Sequence, residues 1–565
     1  MNHCKLSSRC YRYTCGPAAA RLRSCTAAPL HKQDESQHVN AAQPSVREWN
    51  LKEGSELLTR DFIAKSLYNQ DNGYFSTKDV INELPGPLEF RNMMGELHYR
   101  MDVKQAYESK LSAWMTPVET FSPHFSHALA RFIAKETKNV SAKPPASSAQ
   151  AKLPRHLRRI RGPAATRGRR EESLVLYEGG GGTGTNALNV LDWLRREEPK
   201  LYERTEYTII EISPRLAELQ RERVCTIHEN CRVINANVLE WGMSGEADHR
   251  PCVFMGMELL DNLPHDKIAW TAPSRWEVGR GNGATNFYST SSPNEKGDNE
   301  QQLCEAVVIE TPEDGFREVF RPLRDPTIRE LLNICPELAA AVRNRREPSS
   351  SYRTESKSPS LGRKIADIFG TAGGYLGGLG GSGALPRPEH NAAFVPTGSL
   401  KLMKALRRRL PRHRTILADF DSFAGSTEAD SPGGSGEAAA RAAPGTGNDD
   451  DSLLAFQSPI VSSRNPLSGG VTDHSTYLVP LGSADIFFPT CFERLSRVHA
   501  AVCRSSTGGT DGDIIRRGRG LVVKQGEFLR EFADLDATRT FSGFNPLVDD
   551  FRNSSVFLSG AVLDS

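Results

Sequence analysis

The segment Val175-Leu-Tyr-Glu178-Gly-Gly-Gly-Gly-Thr-Gly184-Thr185 places an apolar strand directly before a glycine-rich loop, and a helical pattern begins at Ala187. Glycine adopts positive φ angles and lets the backbone approach a ligand, because no Cβ stands in the way. A helix that begins after such a loop adds free N–H groups and a partial positive charge. The order strand, loop, helix therefore predicts a ligand-binding turn at the edge of a sheet.

Two overlapping glycine patterns in this loop point to different ligands. Gly179, Gly181 and Gly184 satisfy GxGxxG, the fingerprint of dinucleotide binding. Gly180, Gly182 and Gly184 equally satisfy the GxGxG form found in S-adenosylmethionine enzymes. A glycine-rich turn with a purely structural role is the third interpretation, and the loop alone does not choose among the three.

Carboxylates at the ends of two strands favour S-adenosylmethionine. Glu178 directly precedes the loop, where a carboxylate suits the ammonium group of a methionine moiety and would repel a pyrophosphate. Glu211 ends the next strand, where it suits the ribose hydroxyls of either cofactor. Asn237 follows the third strand and is predicted to face the adenine, although polar residues also commonly end strands. The predicted cofactor site consists of Glu178, Gly180, Gly182, Gly184, Glu211 and Asn237.

Short apolar stretches alternate with helical patterns from Ser173 onward. The pattern predicts strands at Leu174–Tyr177, Tyr207–Ile210, Cys231–Ile234 and Cys252–Met257, with helices at Ala187–Leu194 and Pro214–Val224. Such alternation indicates a parallel sheet covered by helices on both faces. The predicted fold class is therefore α/β.

The N-terminal part of the chain divides into three regions of different composition. In residues 1–40 the basic residues all precede the first acid, Asp34, a composition typical of a mitochondrial transit peptide, with a disordered basic tail as the alternative. Residues 49–137 show helical patterns, including a predicted helix over Glu56–Leu67. Residues 138–172 are rich in Arg and predict a solvated basic linker.

Residues 173–558 are predicted to form the interrupted methyltransferase core. Stretches rich in Gly, Ser, Pro or charge indicate disordered insertions near 273–302, 345–390 and 426–464. Apolar segments between these stretches predict one interrupted fold rather than several independent domains.

Composition excludes several other classes of protein. The chain has 565 residues, 25% charged and 38% hydrophobic, with a formal net charge of +2 that gives no argument for nucleic-acid binding. No uninterrupted apolar run reaches the roughly 18 residues that a membrane span requires. The cysteines form no CxxC pair, so no metal site is predicted and a reduced, matrix-like compartment is consistent with them.

At several separated blocks the chain resembles the MidA-type methyltransferases, a family with mitochondrial members that serve as complex I assembly factors of the seventh kind. The blocks are Glu178–Thr185, Glu211–Leu216, Glu258–Pro264, Asn69–Phe75 and Gly482–Phe492. They span most of the globular chain and omit the leader and the insertions. Gly179 replaces an aliphatic residue of the family pattern, and Leu259-Leu260 replaces a pair of phenylalanines.

This resemblance implies a Rossmann-like class I methyltransferase sheet with added N-terminal helical elements and long flexible insertions. It also implies an S-adenosylmethionine-dependent protein arginine methyltransferase of the mitochondrial matrix. The implied substrate is an arginine in the 49-kDa core subunit of complex I, whose assembly the enzyme would support. The Leu259-Leu260 change and the insertions put the shape of the substrate pocket and the choice of partner in question.

Two acids after the fourth predicted strand are the candidate catalytic residues. Glu258 and Asp261 lie at the carboxyl edge of the sheet, where open α/β folds bind their ligands. A guanidinium keeps its proton up to a pKa above about 12, so nearby carboxylates are needed to hold it and to disperse charge. We predict Glu258 as the principal guanidinium partner and Asp261 as its support. Alternatively, Asp261 caps the turn that follows it.

Two other functions remain possible from the sequence. The chain could be a noncatalytic assembly chaperone with a methyltransferase fold, since a fold does not determine a function. The overlapping GxGxxG pattern also leaves an NAD-dependent oxidoreductase open. The sequence does not determine the oligomeric state.

Overall fold

The computed structural model describes residues 56–78, 80–81, 84, 86–109, 114, 116–142, 173–271, 276–281, 284–289, 301–311, 315–344, 392–422, 459–465, 470–504 and 520–560. These residues belong to one compact unit, Trp49–Ser565. The predicted leader at 1–40, nearly all of the linker at 138–172 and most of the three insertions lie outside the described residues.

The strands follow the chain in this order: β1 (Glu56–Leu58), β2 (Leu174–Gly179), β3 (Thr205–Glu211), β4 (Cys231–Asn235), β5 (Cys252–Met257), β6 (Asp266–Thr271), β7 (Trp276–Gly281), β8 (Ala284–Ser289), β9 (Gln302–Thr311), β10 (Gly315–Pro322), β11 (Ala392–Val395), β12 (His413–Phe420), β13 (Ile460–Arg464), β14 (Val471–Asp473), β15 (Asp485–Phe487), β16 (Leu521–Lys524) and β17 (Ser554–Ser559). The predicted strands after Ser173 are therefore confirmed, and three of them extend slightly beyond the predicted bounds.

The helices follow in this order: α1 (Thr59–Tyr68), α2 (Tyr74–Thr77), α3 (Glu96–Ser109), α4 (Pro117–Thr120), α5 (His124–Ala142), α6 (Thr185–Glu197), α7 (Pro199–Tyr202), α8 (Pro214–Gln220), α9 (Val238–Met243), α10 (Pro326–Ile334), α11 (Glu337–Asn344), α12 (Thr397–Arg409), α13 (Phe492–Arg504), α14 (Gln525–Phe532), α15 (Leu535–Thr538) and α16 (Pro546–Asp549). A 3-10 helix spans Phe90–Asn92, and a π-helical turn, Arg221–Cys225, continues α8. In the part of the chain that the structure describes, no helix is both long and apolar enough to cross a membrane.

The central sheet has seven strands in the order β16-β17-β12-β5-β2-β3-β4. Strands β12, β5, β2, β3 and β4 are parallel, and β17 runs antiparallel between β12 and β16. Chain direction across the sheet reverses at β2, because β3 and β4 lie on one side of it and β5 and β12 on the other. Open α/β folds bind ligands at such a switch point, and the predicted α/β fold class is confirmed.

The central sheet is buried on both faces because its strands alternate. Leu176 packs into a cluster with α5, α6 and α14, while Val175 and Tyr177 pack into a cluster with α9, α10, α12 and α13. The six residues of β2 are all buried. A strand covered on both sides reads as a continuous apolar run, which explains why the sequence signal was clear here.

A second sheet forms around β9 and packs against helix α1. On β9, β10 pairs along one edge, and β6 and β1 pair along the other, with β11 added to β6. Further pairings form the sheet β14-β13-β15 and the hairpin β7-β8. The hairpin and β13 fall within two of the stretches that we predicted as insertions.

The prediction of one helix over Glu56–Leu67 was wrong at its start. Residues Glu56–Leu58 form β1, which pairs antiparallel with β9, and α1 begins only at Thr59. The pairing sets Leu57 opposite Val308, far away in the sequence. Long-range pairing therefore overrides the local helical pattern.

Helix α1 is fixed to the second sheet by apolar packing and by a buried arginine. Phe62 and Ile63 have no exposed surface and belong to the cluster that includes Val308 of β9. The guanidinium of Arg60 donates to Asp266 over 2.7 Å and to Asp325 over 2.6 Å. This anchoring holds α1 beside the cavity described next.

Candidate functional site

The glycine-rich loop leaves β2 at the switch point and requires glycine at alternate positions. Gly180, Gly182 and Gly184 have φ angles of 68°, 54° and 87°, a region that side chains with a Cβ rarely adopt. A Cβ on Gly184 would also lie 2.9 Å from Val224 Cγ2. The three glycines of the GxGxG pattern are thus the loop residues whose φ angles favour glycine. Gly184 directly precedes the first residue of α6.

Glu178, the last acid before the loop, is held entirely by neighbouring side chains. Its Oε1 accepts from Asn186 Nδ2 over 2.8 Å, and its Oε2 accepts from the Tyr207 hydroxyl over 2.7 Å. Burial raises the pKa of this carboxyl, and the two hydrogen bonds oppose that rise. The observed contacts tie β2 to α6 and β3. Contact between Glu178 and a methionine moiety stays a prediction.

Glu211 ends β3, the strand next to β2, and its carboxyl is held from two directions. The backbone N–H of Ser213 donates to Oε1 over 2.9 Å, and Gln220 Nε2 donates to Oε2 over 3.2 Å. Burial raises the pKa of Glu211 to about 7, against the effect of these hydrogen bonds. Ser213 also caps α8, and Pro214 is the first residue of that helix. The sequence Glu-Ile-Ser-Pro therefore contains both the acid and the residue whose backbone binds it.

A cavity of about 340 Å³ lies at the carboxyl edge of the sheet beside this loop. This volume is within the usual range for a small-molecule site. Gly180 and Asn237 are the predicted cofactor residues that line it. The other lining residues are Arg60, Asp61, Ala64, Tyr68, Ile210, Ile212, Ala236, Val238, Leu239, Glu240, Met243, Leu259, Leu263, Pro264, Gly398 and Lys401.

Asn237 has a local partner as well as a place on the cavity wall. Its Oδ1 accepts from the Leu239 backbone N–H over 2.9 Å and thereby caps α9. The amide nitrogen of the same side chain is not used in that contact. The structure brings Asn237 to the cavity, and its predicted contact with adenine stays a prediction.

Glu258 follows β5 in a backbone conformation that non-glycine residues seldom adopt. Its φ is 51°, and its N–H donates to Ala418 O of β12 over 2.9 Å. The residue is half-buried, yet its Oε1 is shielded from solvent and has no hydrogen-bond partner among the described residues. Burial raises the pKa of Glu258 well above its usual value, and Asp261, Asp419 and Glu119 raise it further.

Asp261 is buried in the same turn, and its side chain bonds within the turn that follows it. Its Oδ1 accepts from the backbone N–H of the next residue, Asn262, over 2.9 Å. The turn is also held by Asp419, whose Oδ2 accepts from the Leu260 N–H over 2.7 Å and the Asp261 N–H over 3.1 Å. Burial raises the pKa of Asp261, and burial together with the nearby Asp261 raises that of Asp419.

Four site residues were missed in the sequence: Glu119, Asp419, Asp485 and Tyr68. Asp485 Oδ1 accepts from Asn262 Nδ2 over 2.9 Å, and burial with the nearby Asp261 raises the pKa of Asp485 to about 8. The Tyr68 hydroxyl donates to Asn262 O over 2.8 Å, while Glu119 Oε1 accepts from the Thr183 hydroxyl over 2.5 Å. Asp485 lies in the block Gly482–Phe492 that resembles the MidA-type family, and Asp419 lies in an apolar segment between two predicted insertions, but neither residue was singled out.

The acids form one cluster, defined as Glu119, Glu258, Asp261, Asp419 and Asp485. The register of β5 and β12 ends with Met257 opposite Ala418, which sets Glu258 and Asp419 side by side. No arrangement of His, Cys, Asp and Glu in the described residues is suited to hold a metal ion. Leu259, the residue after Glu258, lines the cofactor-sized cavity. The turn after β5 therefore contributes Glu258 to the acidic cluster and the next residue, Leu259, to the cavity wall.

Comparison with known proteins decides the family. A model of putative S-adenosyl-L-methionine-dependent methyltransferases matches residues 164–509, more than half of the chain. The chain belongs to this methyltransferase family. Its cofactor is accordingly S-adenosylmethionine, and the NAD-dependent oxidoreductase is set aside. No curated protein has a significantly similar sequence.

Solved structures similar to the chain come from Burkholderia thailandensis. One, described as a candidate methyl transferase bound to S-adenosyl-homocysteine, has 14% identity, covers 91% of this chain and 90% of its own, and gives a TM-score of 0.45. A native structure of an uncharacterised protein of the same superfamily has 14% identity, covers 91% of this chain and 89% of its own, and gives a TM-score of 0.43.

The residues present fit the methyltransferase cofactor. The cavity lies at the switch point, and its wall at Gly180 has a positive φ that keeps the loop free of side chains. Apolar residues of the wall such as Ile210 and Leu259 suit a flat heterocycle. Glu211 ends the neighbouring strand β3 but does not line the cavity, so its predicted contact with ribose hydroxyls stays a prediction.

Proposed function

We propose that the methyltransferase acts on arginine in a protein and works in the mitochondrial matrix, with the 49-kDa core subunit of complex I as its substrate. The observation that supports arginine is the acidic cluster, which adjoins Leu259 of the cavity wall, and above all Glu258 Oε1, which has no partner in the described part of the chain. Burial and neighbouring acids raise the pKa values of Glu258 and Asp485, and a bound cation would lower those pKa values and stabilise the charged carboxylates.

The chain's own residues supply orientation and electrostatics. When bound, S-adenosylmethionine supplies an electrophilic methyl group. Glu258 accepts hydrogen bonds from the guanidinium and fixes one nitrogen toward the cavity, and Asp261 adds negative charge behind it. Asp419 holds the Leu260 and Asp261 amides and so positions both acids. As the attacked nitrogen loses its proton, the carboxylates disperse the positive charge.

The substrate class is tested by methylation of arginine peptides derived from the 49-kDa subunit. Mass spectrometry of the product should find methylarginine. Glu258→Gln should reduce transfer by about 1,000-fold, since removing one essential electrostatic contact costs roughly 3–4 kcal/mol in the transition state. The control Glu218→Gln, an exposed acid on α8, should retain full activity. Full activity of Glu258→Gln, or transfer to an alternative residue such as lysine, would contradict the proposal.

The cellular part of the proposal is supported by the basic leader and by the MidA-type resemblance. A fluorescent fusion of the full chain should enter mitochondria, and a fusion that lacks residues 1–40 should not. Loss of the protein should remove methylation from the 49-kDa subunit and reduce assembled complex I. An inactive Glu258→Gln chain that restores assembly would instead favour the noncatalytic chaperone.

A further inference from the structure

Gln220, the last residue of α8, lies where the loop and the ribose acid come together. The residue has no exposed surface, although Gln is seldom fully buried. A π-helical turn follows it at Arg221–Cys225, a rare conformation that is frequent at functional sites. No motif in the sequence pointed to this residue.

A single amide group of Gln220 connects two elements of the cofactor site. Its Nε2 donates to Gly182 O over 2.8 Å and to Glu211 Oε2 over 3.2 Å. The side chain also packs against the loop, because a Cβ on Gly181 would lie 3.2 Å from Nε2 and a Cβ on Gly184 3.4 Å from Cγ. Gln220 thus bridges the loop carbonyl and the carboxylate directly.

The chemistry of the two partners determines how the amide is oriented. A carbonyl and a carboxylate are both acceptors, so the NH₂ end has to face them. That orientation leaves Gln220 Oε1 buried with no hydrogen-bond partner among the described residues. The flipped amide would set an oxygen against two acceptors, which is worse. A neutral donor of this length is therefore required at the position.

We propose that Gln220 is a positioning residue that fixes the glycine-rich loop and the Glu211 carboxylate relative to each other before the cofactor binds. This inference rests on the cofactor part of the proposed function and does not depend on the substrate. A preorganised site binds its ligand more tightly, because binding does not require the further free-energy cost of ordering the site. Loss of the bridge should therefore weaken cofactor affinity even in a folded protein.

The test measures the dissociation constant of S-adenosylhomocysteine by calorimetry on the full chain. Gln220→Met removes both hydrogen bonds at similar size and should weaken binding about tenfold at pH 8. Gln220→Glu adds a second carboxylate beside Glu211 and should weaken binding about a hundredfold. The matched control Gln105→Glu makes the same charge change at an exposed position of α3 and should bind as the wild type does.

The pH profile separates positioning from simple packing. In the Gln220→Glu variant, lowering the pH to 6 lets the introduced carboxylate share a proton with Glu211, so one hydrogen bond returns. The deficit of this variant relative to wild type at the same pH should therefore shrink, and it should shrink more than that of Gln220→Met, which adds no carboxylate beside Glu211. The other titratable groups that interact with Glu211 are Glu178 and Tyr68, and Arg223 reaches the loop at Thr183. These groups are unchanged in every variant.

Each outcome decides the matter. Wild-type affinity in folded Gln220→Met and Gln220→Glu would overturn the positioning role and leave the cofactor assignment intact. Absence of binding in the wild type would overturn the cofactor assignment and this inference with it. If Gln220→Met does not fold, Gln220→Asn keeps a buried amide but withdraws it from both acceptors. The same loss of affinity is expected, and unchanged affinity would again refute the proposal.

Discussion

Glu178 and Glu258 occupy similar positions in the sequence, each at the end of a buried strand, but they differ in their hydrogen-bond partners. Each is an acid at the carboxyl end of one of two adjacent parallel strands, β2 and β5. Both oxygens of Glu178 are bonded to side chains of the chain itself. Glu258 has three acidic neighbours, a strained backbone and a shielded oxygen without a partner among the described residues. Glu178 therefore stabilises the fold, whereas Glu258 has an oxygen available to bind a cationic group of a substrate.

Replacing each of the two glutamates by alanine should give the largest effect, and it should appear in the free energy of unfolding. Glu178→Ala leaves the Asn186 amide and the Tyr207 hydroxyl buried without their acceptor, so it should lower the free energy of unfolding by about 4 kcal/mol. Glu258→Ala leaves no such buried donors behind among the described residues and should change it by about 1 kcal/mol or less. Urea denaturation of both variants measures the two values. Equal losses would contradict the distinction.

The acidic cluster should make stability depend on pH. Asp485 has a folded pKa of about 8 against an ordinary value of 3.8, so the folded state binds the additional proton between these limits. Its contribution is fully present below pH 3.8 and is lost as the pH rises through about 8. Asp485→Asn removes this dependence. The wild type should therefore lose about 3.5 kcal/mol relative to Asp485→Asn between about pH 5 and pH 8, measured by urea denaturation. Parallel pH profiles would contradict the raised pKa.

The smallest effects should come from exchanging residues at two of the positive φ angles, those of Gly184 and Glu258. Gly184→Ala forces a Cβ into a left-handed conformation against Val224 and should cost about 2 kcal/mol. Glu258→Gly relieves strain and should alter stability by about 1 kcal/mol or less, in the stabilising direction. Thermal unfolding compares the two variants. Strong destabilisation by Glu258→Gly would show that the side chain of Glu258 belongs to the framework after all.

The sequence was sufficient to predict those features of the two sites that depend on neighbouring residues in the chain. Strand β2, the glycine-rich loop and α6 follow one another directly, so their apolar run and glycines were sufficient to place them. Glu258 and Asp261 were likewise predicted at the carboxyl edge because they adjoin β5. Their surroundings were not predicted, since Asp419 and Asp485 lie 158 and 223 residues away from the residues they contact. No spacing rule connects such positions, just as none connected Leu57 with Val308.

The central claim, that Glu258 is kept ready for a guanidinium, is tested most directly by proton release. An arginine peptide from the 49-kDa subunit is titrated into the protein with S-adenosylhomocysteine bound, at pH 7, in buffers of different ionisation enthalpy. Because a cation lowers the raised pKa values of the cluster, binding should release about one proton, and Glu258→Gln should abolish the release. Binding without proton release, or equal release by Glu258→Gln, would contradict the account.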